Sequence, residues 1–242
     1  MVILFLSLDR QRGARGDFAG DVNSISRVLI NHLFREDFSM RSFRWVWIVL
    51  LSLSLLGCGG GVTYPLYLKY QPSKEFSRLQ QKMGSTVAMA PFVDERKEKF
   101  YIGYHIPLQG SPNYFKSDPF PLEKAVRDSL TQVLSRQGIK AVSVPDWDGK
   151  PESLNHLETD SVFMIEIKEF WSQGRATVVG TRVKTSIRLA IHLGVKREGR
   201  VYTRNVESEK EITVARSTPE RVEEMVNQML TEIFDSYFSN PY

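Results

Sequence analysis

The chain of 242 residues holds a single thiol, Cys58. It stands directly behind the apolar run "WVWIVLLSLSLL" (Trp45 to Leu56) and ahead of Gly59-Gly60-Gly61. One cysteine excludes an intramolecular disulfide, so a packed core must hold the fold. A thiol in such a place can serve as a nucleophile, a metal ligand or a point of covalent attachment. The first two find no support elsewhere in the sequence. His105, His156 and His192 fall on separate elements, without the i, i+4 pairing of a helical zinc site. There is no Gly-x-Ser-x-Gly elbow and no glycine loop shaped to cradle phosphate. We therefore expect no catalytic residue, no metal site and no cofactor apart from a covalent lipid on Cys58. Three further groups could bind without doing chemistry. Asp94-Glu95-Arg96 follow a predicted strand and read as a solvated turn with a local ion pair. Lys184, Arg188, His192 and Lys196 share one predicted sheet face, where Glu207, Glu209 and Glu211 of the next strand can pair with them. The third group is aromatic: Phe100, Tyr101, Tyr104, Tyr114 and Phe115 crowd into residues 99–120.

What precedes Cys58 gives the thiol a purpose. From Met40, Arg41 and Arg44 form a positive n-region and Trp45 to Leu56 an h-region of twelve residues. A spanning helix needs about 20 apolar residues, so this run is too short to cross a bilayer. The alternatives are a buried core helix ending in glycine and a short interfacial anchor without cleavage. Leu55-Leu56-Gly57-Cys58 resembles the lipobox of bacterial lipoproteins. The resemblance implies that Leu55, Leu56 and Gly57 are read by the signal peptidase, that cleavage falls before Cys58, and that its sulfur carries diacylglycerol. Stable anchoring takes more than one acyl chain, and a di- or triacylated cysteine supplies them. Because lipoprotein signals do not usually carry a leader, residues 1–39 are expected to be a gene-model extension, with translation starting at Met40.

The elements that must position the remaining groups come next. Without residues 1–57 the chain has 25 basic and 23 acidic residues, too even for a nucleic-acid footprint. Residues 58–85 read as a lipidated tether and arm, with "VTYPLYLKY" adding an edge strand because of Pro65. The folded domain is expected over 86–242. "TVAMAPFVD" (86–94) reads as a central strand buried on both faces. Asp118 is expected to cap a helix with Pro119 and Pro121 in its first turn and Gly138 as its stop. "IKAVSV" (139–144) and residues 161–171 read as strands. Val183 to Val195 alternates apolar with polar, the mark of an antiparallel strand with one wet face. Glu198-Gly199 turns the chain into a strand over 201–212, whose dry face Arg204 and Lys210 interrupt; its register is open or it lies at an edge. Thr218-Pro219 opens a final helix. The expectation is an α+β fold: a mainly antiparallel sheet of about five strands, with two helices on one face.

Val93-Asp94-Glu95-Arg96, "LTQVLSRQGIKAV", "VFMIEIKEFW" and the closing "VEEMVNQMLTEIFDS" together resemble the YajG-type lipoproteins of Gram-negative bacteria. The likeness spans about Thr86 to Phe238. It implies a periplasm-facing lipoprotein of the outer membrane with no established enzyme activity. Gly59 is not the aspartate associated with inner-membrane retention in enteric bacteria. The expected partners are the membrane, through the anchor, and another envelope protein; no nucleic acid and no small-molecule ligand is expected. The aromatic-rich insert at residues 97–118 is longer than the family pattern, and the aromatic segment 99–120 falls largely within it. An irregular connection above about 12–15 residues is often functional, so it is the expected partner-binding loop, unless "KFYIGYHI" forms an extra strand whose rings pack. The alternative function is an auxiliary lipoprotein of an ABC-type lipid transport system, which would need an apolar groove for an acyl chain.

Overall fold

The computed structural model describes residues 61–242. The leader, the signal segment with Leu55, Leu56 and Gly57, and the lipidation position Cys58 lie outside the described residues. In chain order the elements are β1 (Thr63–Tyr67), α1 (Leu79–Met83), β2 (Thr86–Met89), β3 (Val93–Asp94), β4 (Gly103–Ile106), β5 (Asn113–Asp118), α2 (Leu122–Arg136) and β6 (Lys140–Ser143). Then come β7 (Ser161–Thr177), β8 (Gly180–Val195), β9 (Arg200–Val214) and α3 (Pro219–Ser239). Short 3-10 turns occupy Glu152–His156 and Lys196–Glu198.

Strict alternation builds the long half of the sheet. β7 pairs antiparallel with β8 from Ser161↔Val195 to Thr177↔Gly180, and β8 with β9 from Thr181↔Val214 to Val195↔Arg200. β9 pairs with β8 alone, so it is an edge, and its register is unbroken. Arg204 and Lys210 keep their places on its dry face by reaching to α3. Arg204 donates to the Asn240 carbonyl at 3.1 Å and Lys210 to Gln228 Oε1 at 2.9 Å.

The other half departs from the expectation. From Thr86 to Ile106 the chain runs beside β7 in the same direction, in three short rungs. Val87 lies opposite Ser161, Val93 opposite Glu166 and Gly103 opposite Ser172. β6 adds in parallel outside β2, β5 antiparallel outside β4, and β1 in parallel outside β5. The result is a mixed sheet of nine strands with three helices among the described residues, in place of five mainly antiparallel strands with two. The physical reason is connection length. A crossover through α2 returns β6 in the direction of β2, as parallel neighbours require.

α2 and α3 cover one face of this sheet. Leu122, Ala125, Val126, Leu130, Val133 and Leu134 of α2 and Val222, Met225, Val226, Met229, Leu230, Ile233, Phe234 and Tyr237 of α3 are buried in one cluster with Phe163, Ile165, Ile167 and Phe170 of β7. Asp118 does not cap α2. It belongs to β5, and the helix begins behind Pro121, whose extended backbone takes the N-cap place. Gly138 does end α2, in a left-handed conformation (φ 75°). There Ile139 N–H donates to the Leu134 carbonyl and Gly138 N–H to that of Ser135, the paired bonds of a Schellman end.

Residues 62–85 are built into the body. Leu66, Leu68, Tyr70, Phe76, Leu79 and Met83 are all buried in the main cluster. Beyond β1 the extended chain lies along α3, fastened by side chains four residues apart on the helix. Glu223 accepts from Tyr67 N–H (2.9 Å) and Asn227 from Lys69 N–H (2.8 Å), while Thr231 donates to the Gln71 carbonyl (3.2 Å). Buried Asp235 closes the series, accepting from Tyr70 Oη (2.7 Å) and Ser73 N–H (3.0 Å). Burial, then the bond to Asp235, pushes the Tyr70 phenol far above its usual range. On the opposite face a small cluster of Ala88, Ala90, Trp147, Leu154 and Val162 covers the sheet where β2, β6 and the start of β7 meet.

Candidate functional site

Past that small cluster the second face of the sheet carries the aromatic side chains. A bulge sets them there. Between Ile167 and Glu169 the β7–β8 register shifts by one residue, so Lys168 is extra and the inward set passes from Phe163, Ile165 and Ile167 to Phe170 and Ser172. Trp171 and Gln173 consequently point away from the helices. Tyr104 of β4 lies opposite Gln173 and Tyr114 of β5 opposite Tyr104, on the same outward side. β4 comes this close because Gly103 has no side chain: a Cβ there, at φ 155°, would lie 2.0 Å from the Ser172 carbonyl oxygen.

The rings form one continuous row. Trp171 meets Tyr104 at 5.8 Å between centroids, Tyr104 meets Tyr114 at 6.5 Å, and Tyr114 stacks on Tyr101 at 4.5 Å. Phe100 stands edge-on to Tyr101 at 4.8 Å and packs on Phe120 at 5.5 Å. Lys116 Nζ lies 4.2 Å from the centre of Phe100 and 4.1 Å from that of Phe120, cation–π contacts that hold the ammonium over the end of the row. Phe100 and Phe120 are exposed; Tyr101, Tyr104, Tyr114 and Trp171 are half-buried.

Asp94, Glu95 and Arg96 are what fix this row, and here too the structure corrects the sequence reading. Asp94 and Arg96 are buried, not solvated. Arg96 is bidentate on Asp94 through Nε (2.9 Å) and Nη2 (2.8 Å). Its remaining donors reach the carbonyls of Tyr101 (2.9 Å), Phe170 (3.1 Å) and Lys99 (3.3 Å). Glu98 accepts from Phe100 and Tyr101 N–H groups. One guanidinium thus ties the segment carrying Phe100 and Tyr101 to β7. Glu95 is exposed and pairs with Lys168 at 2.6 Å.

Residues 99–120 are therefore no irregular loop: β4 and β5 form an antiparallel hairpin through most of it. Of the five expected contact residues, Phe100, Tyr101, Tyr104 and Tyr114 come together. Phe115 does not; it faces the other side of β5, 2% exposed within the core. Trp171, Phe120 and Lys116 join the row and were missed. Trp171 could have been found had the bulge been recognised.

Beside the row the face is charged and internally paired. Lys184 meets Glu209 at 2.8 Å and Arg182 meets Glu211 at 3.4 Å; Arg188 pairs with Glu169. Lys168 holds Glu166 at 2.7 Å, which keeps that carboxyl below its usual range. His192 bonds Thr203 Oγ1 through Nδ1 at 2.8 Å, and Lys196 donates to the Leu157 carbonyl. His105 points to the helix side of β4, where burial lowers its pKa, and His156 is exposed on a 3-10 turn. Among the described residues no group of three or more His, Cys, Asp or Glu is placed to hold a metal ion, and no helix is long and apolar enough to cross a membrane.

Clefts open elsewhere among the described residues. One of about 420 Å³ lies beside the tip of the β7–β8 hairpin and includes His105 and Arg216. One of about 570 Å³ includes Lys82, Asp160, Lys196 and Arg197, and one of about 540 Å³ includes Lys69, Asp118 and Asp128. Each has charged side chains in its lining.

No protein-family model matches the chain, and no curated protein matches it. Solved structures similar to it include protein XCC0632 from Xanthomonas campestris, at 13% identity and a TM-score of 0.48, covering 74% of this chain and 93% of that one. Lipoprotein GNA1162 from Neisseria meningitidis is similar at 12% identity and 0.36, over 62% and 99% of the two chains. A minor lipoprotein from Acinetobacter baumannii is similar at 8% and 0.31, over 65% and 94%.

Proposed function

We propose that this chain is a non-enzymatic lipoprotein of the bacterial cell envelope, held to a membrane through acylated Cys58, whose folded body binds another envelope protein by its aromatic sheet face. The finer placement, facing the periplasm from the outer membrane, follows the resemblance to YajG-type lipoproteins. The observation that carries the binding reading is the unbroken row from Trp171 through Tyr104, Tyr114 and Tyr101 to Phe100. Aromatic side chains are enriched at the centres of protein interfaces, and Arg96 ties this row to the sheet through the Tyr101 and Phe170 carbonyls. A bilayer anchor raises the effective concentration of such a face near partners held on the same surface. The alternative, carriage of an acyl chain for a lipid transporter, needs an apolar sleeve. The three clefts described above mix charged side chains with apolar ones, and none is lined by apolar groups alone.

Photo-crosslinking in living cells tests this. A photoreactive amino acid at Phe100 or Tyr101 is expected to give one discrete adduct. The same group at Tyr67, exposed on the arm, is expected to give none. Absence of a specific adduct from both Phe100 and Tyr101 removes the proposed face.

A further inference from the structure

Three tips meet at one end of the body: the β4–β5 turn around Leu108, the β7–β8 turn at Val178-Val179, and the connection from β9 to α3 around Arg216. The three most exposed large apolar side chains among the described residues are all there, Val178 at 91%, Val179 at 90% and Leu108 at 63%. The pairing of Ile106 with Arg175 sets the first two tips side by side, and all three surround one cleft. Two-residue hairpin turns favour Gly, Asn and Asp for their backbone freedom. Two valines that pack on nothing are not explained by folding.

The chain also enters the body at this end. Val62 N–H donates to Asn113 Oδ1 at 3.2 Å, and its carbonyl accepts from Tyr114 N–H at 2.8 Å. Gly61 lies against the Pro112 carbonyl, so closely that a Cβ would stand 1.9 Å from its oxygen. Cys58 precedes Gly61 by three residues, at most about 11 Å of extended chain. The arm behind β1 is fastened to α3, so little slack can be drawn from the body. Charge agrees with this placement. Segments 105–113, 175–182 and 213–219 hold three arginines and no carboxylate; the next acid along the chain, Glu220, lies in the first turn of α3. Arg182 pairs with Glu211. Arg175 and Arg216 are exposed and make no ion pair among the described residues.

We propose that this end is a lipid-contact surface. With Cys58 acylated, Val178, Val179 and Leu108 enter the boundary between headgroups and acyl chains, and Arg175 and Arg216 meet lipid phosphate. The proposal rests on the lipid-anchor reading and adds an orientation to it. β7 rises away from the bilayer, and the β8–β9 turn stands roughly 50 Å out, from sixteen steps of about 3.3 Å.

Acylation of Cys58 leaves no other thiol in the chain, so Val179→Cys in the full lipidated protein provides one site for a nitroxide. The protein is reconstituted in phosphatidylethanolamine–phosphatidylglycerol vesicles, and collisions with oxygen and with a polar nickel chelate are measured. The label at 179 is expected to lose access to nickel and gain access to oxygen, relative to one at Asn155→Cys beside the far end of β7. Aqueous behaviour at 179 in protein that floats with the vesicles overturns the orientation and leaves the anchor standing. Shielding from both reagents means that protein covers the tip, which also overturns it. Failure to float removes the anchor reading, and the orientation goes with it.

Discussion

Arg96 shows how differently one residue reads in sequence and in space. Between Glu95 and Lys97 it looks like a solvated charge. It is buried because three carbonyls, from Lys99, Tyr101 and Phe170, converge on a guanidinium already neutralised by Asp94. Two of those come from the next five residues and one from β7, and no local pattern announces the meeting. Removing one member of a buried pair leaves the other charge uncompensated. Arg96→Met is therefore expected to lower unfolding free energy by about 3–5 kcal/mol, measured by urea denaturation, and the double variant with Asp94→Leu to recover much of it. Asp160 gives a pH test. Its carboxylate accepts from the N–H and hydroxyl groups of Ser85 and Thr86 at 2.8–3.1 Å. Those bonds, led by the Thr86 N–H, hold its pKa below the usual value. A depressed carboxyl stabilises the fold above its ordinary pKa of about 3.9 and loses that contribution as pH falls through the lowered value. Asp160→Ala should be less stable at neutral pH and show a shallower fall in melting temperature on acidification below about pH 4. An unchanged acid limb would assign the bonds no weight.

At the scale of elements, periodicity made much of the molecule legible. The helix expected ahead of Gly138 and the one opened by Thr218-Pro219 are α2 and α3, and the alternation from Val183 to Val195 is β8 with its partners on both sides. The three short rungs along β7 were not legible. Parallel pairing of two to four residues depends on what the tertiary fold brings alongside, and a four-residue apolar run does not name its neighbour. The bulge was equally hidden, yet it decides which rings face outward. Lys168 is the extra residue, so deleting it should restore plain alternation while keeping Phe170 inward and Trp171 outward. The variant loses half-exposed ion pairs to Glu95 and Glu166, worth about 0–1 kcal/mol each. It should fold with a melting temperature within a few degrees of the parent, whereas deleting Met164 turns one half of β7 against the other and should leave no cooperative transition. Calorimetry of the two deletions distinguishes these outcomes.

For the molecule as a whole, the sequence placed the aromatic residues together but not the hairpin that arrays them, because Tyr104 and Trp171, 67 residues apart, meet only once β4 lies on β7. The expected lipid anchor is the reverse case: it rests on sequence alone, and Cys58 lies outside the described residues. Cys58→Ala should accumulate as unprocessed precursor without thioether-linked lipid, seen by intact mass and palmitate labelling; normal maturation would remove the anchor. Under the proposed anchor, the spaced side chains Glu223, Asn227, Thr231 and Asp235, which grip residues 67–73, acquire a mechanical meaning. A tug on the lipid pulls Gly61 along the axis of β1, so the parallel bonds to β5 and the clasps on α3 are strained lengthwise and share the load, where a peeling force would open them one by one. Drag on the body would then be resisted at the tether's root by all of these bonds together.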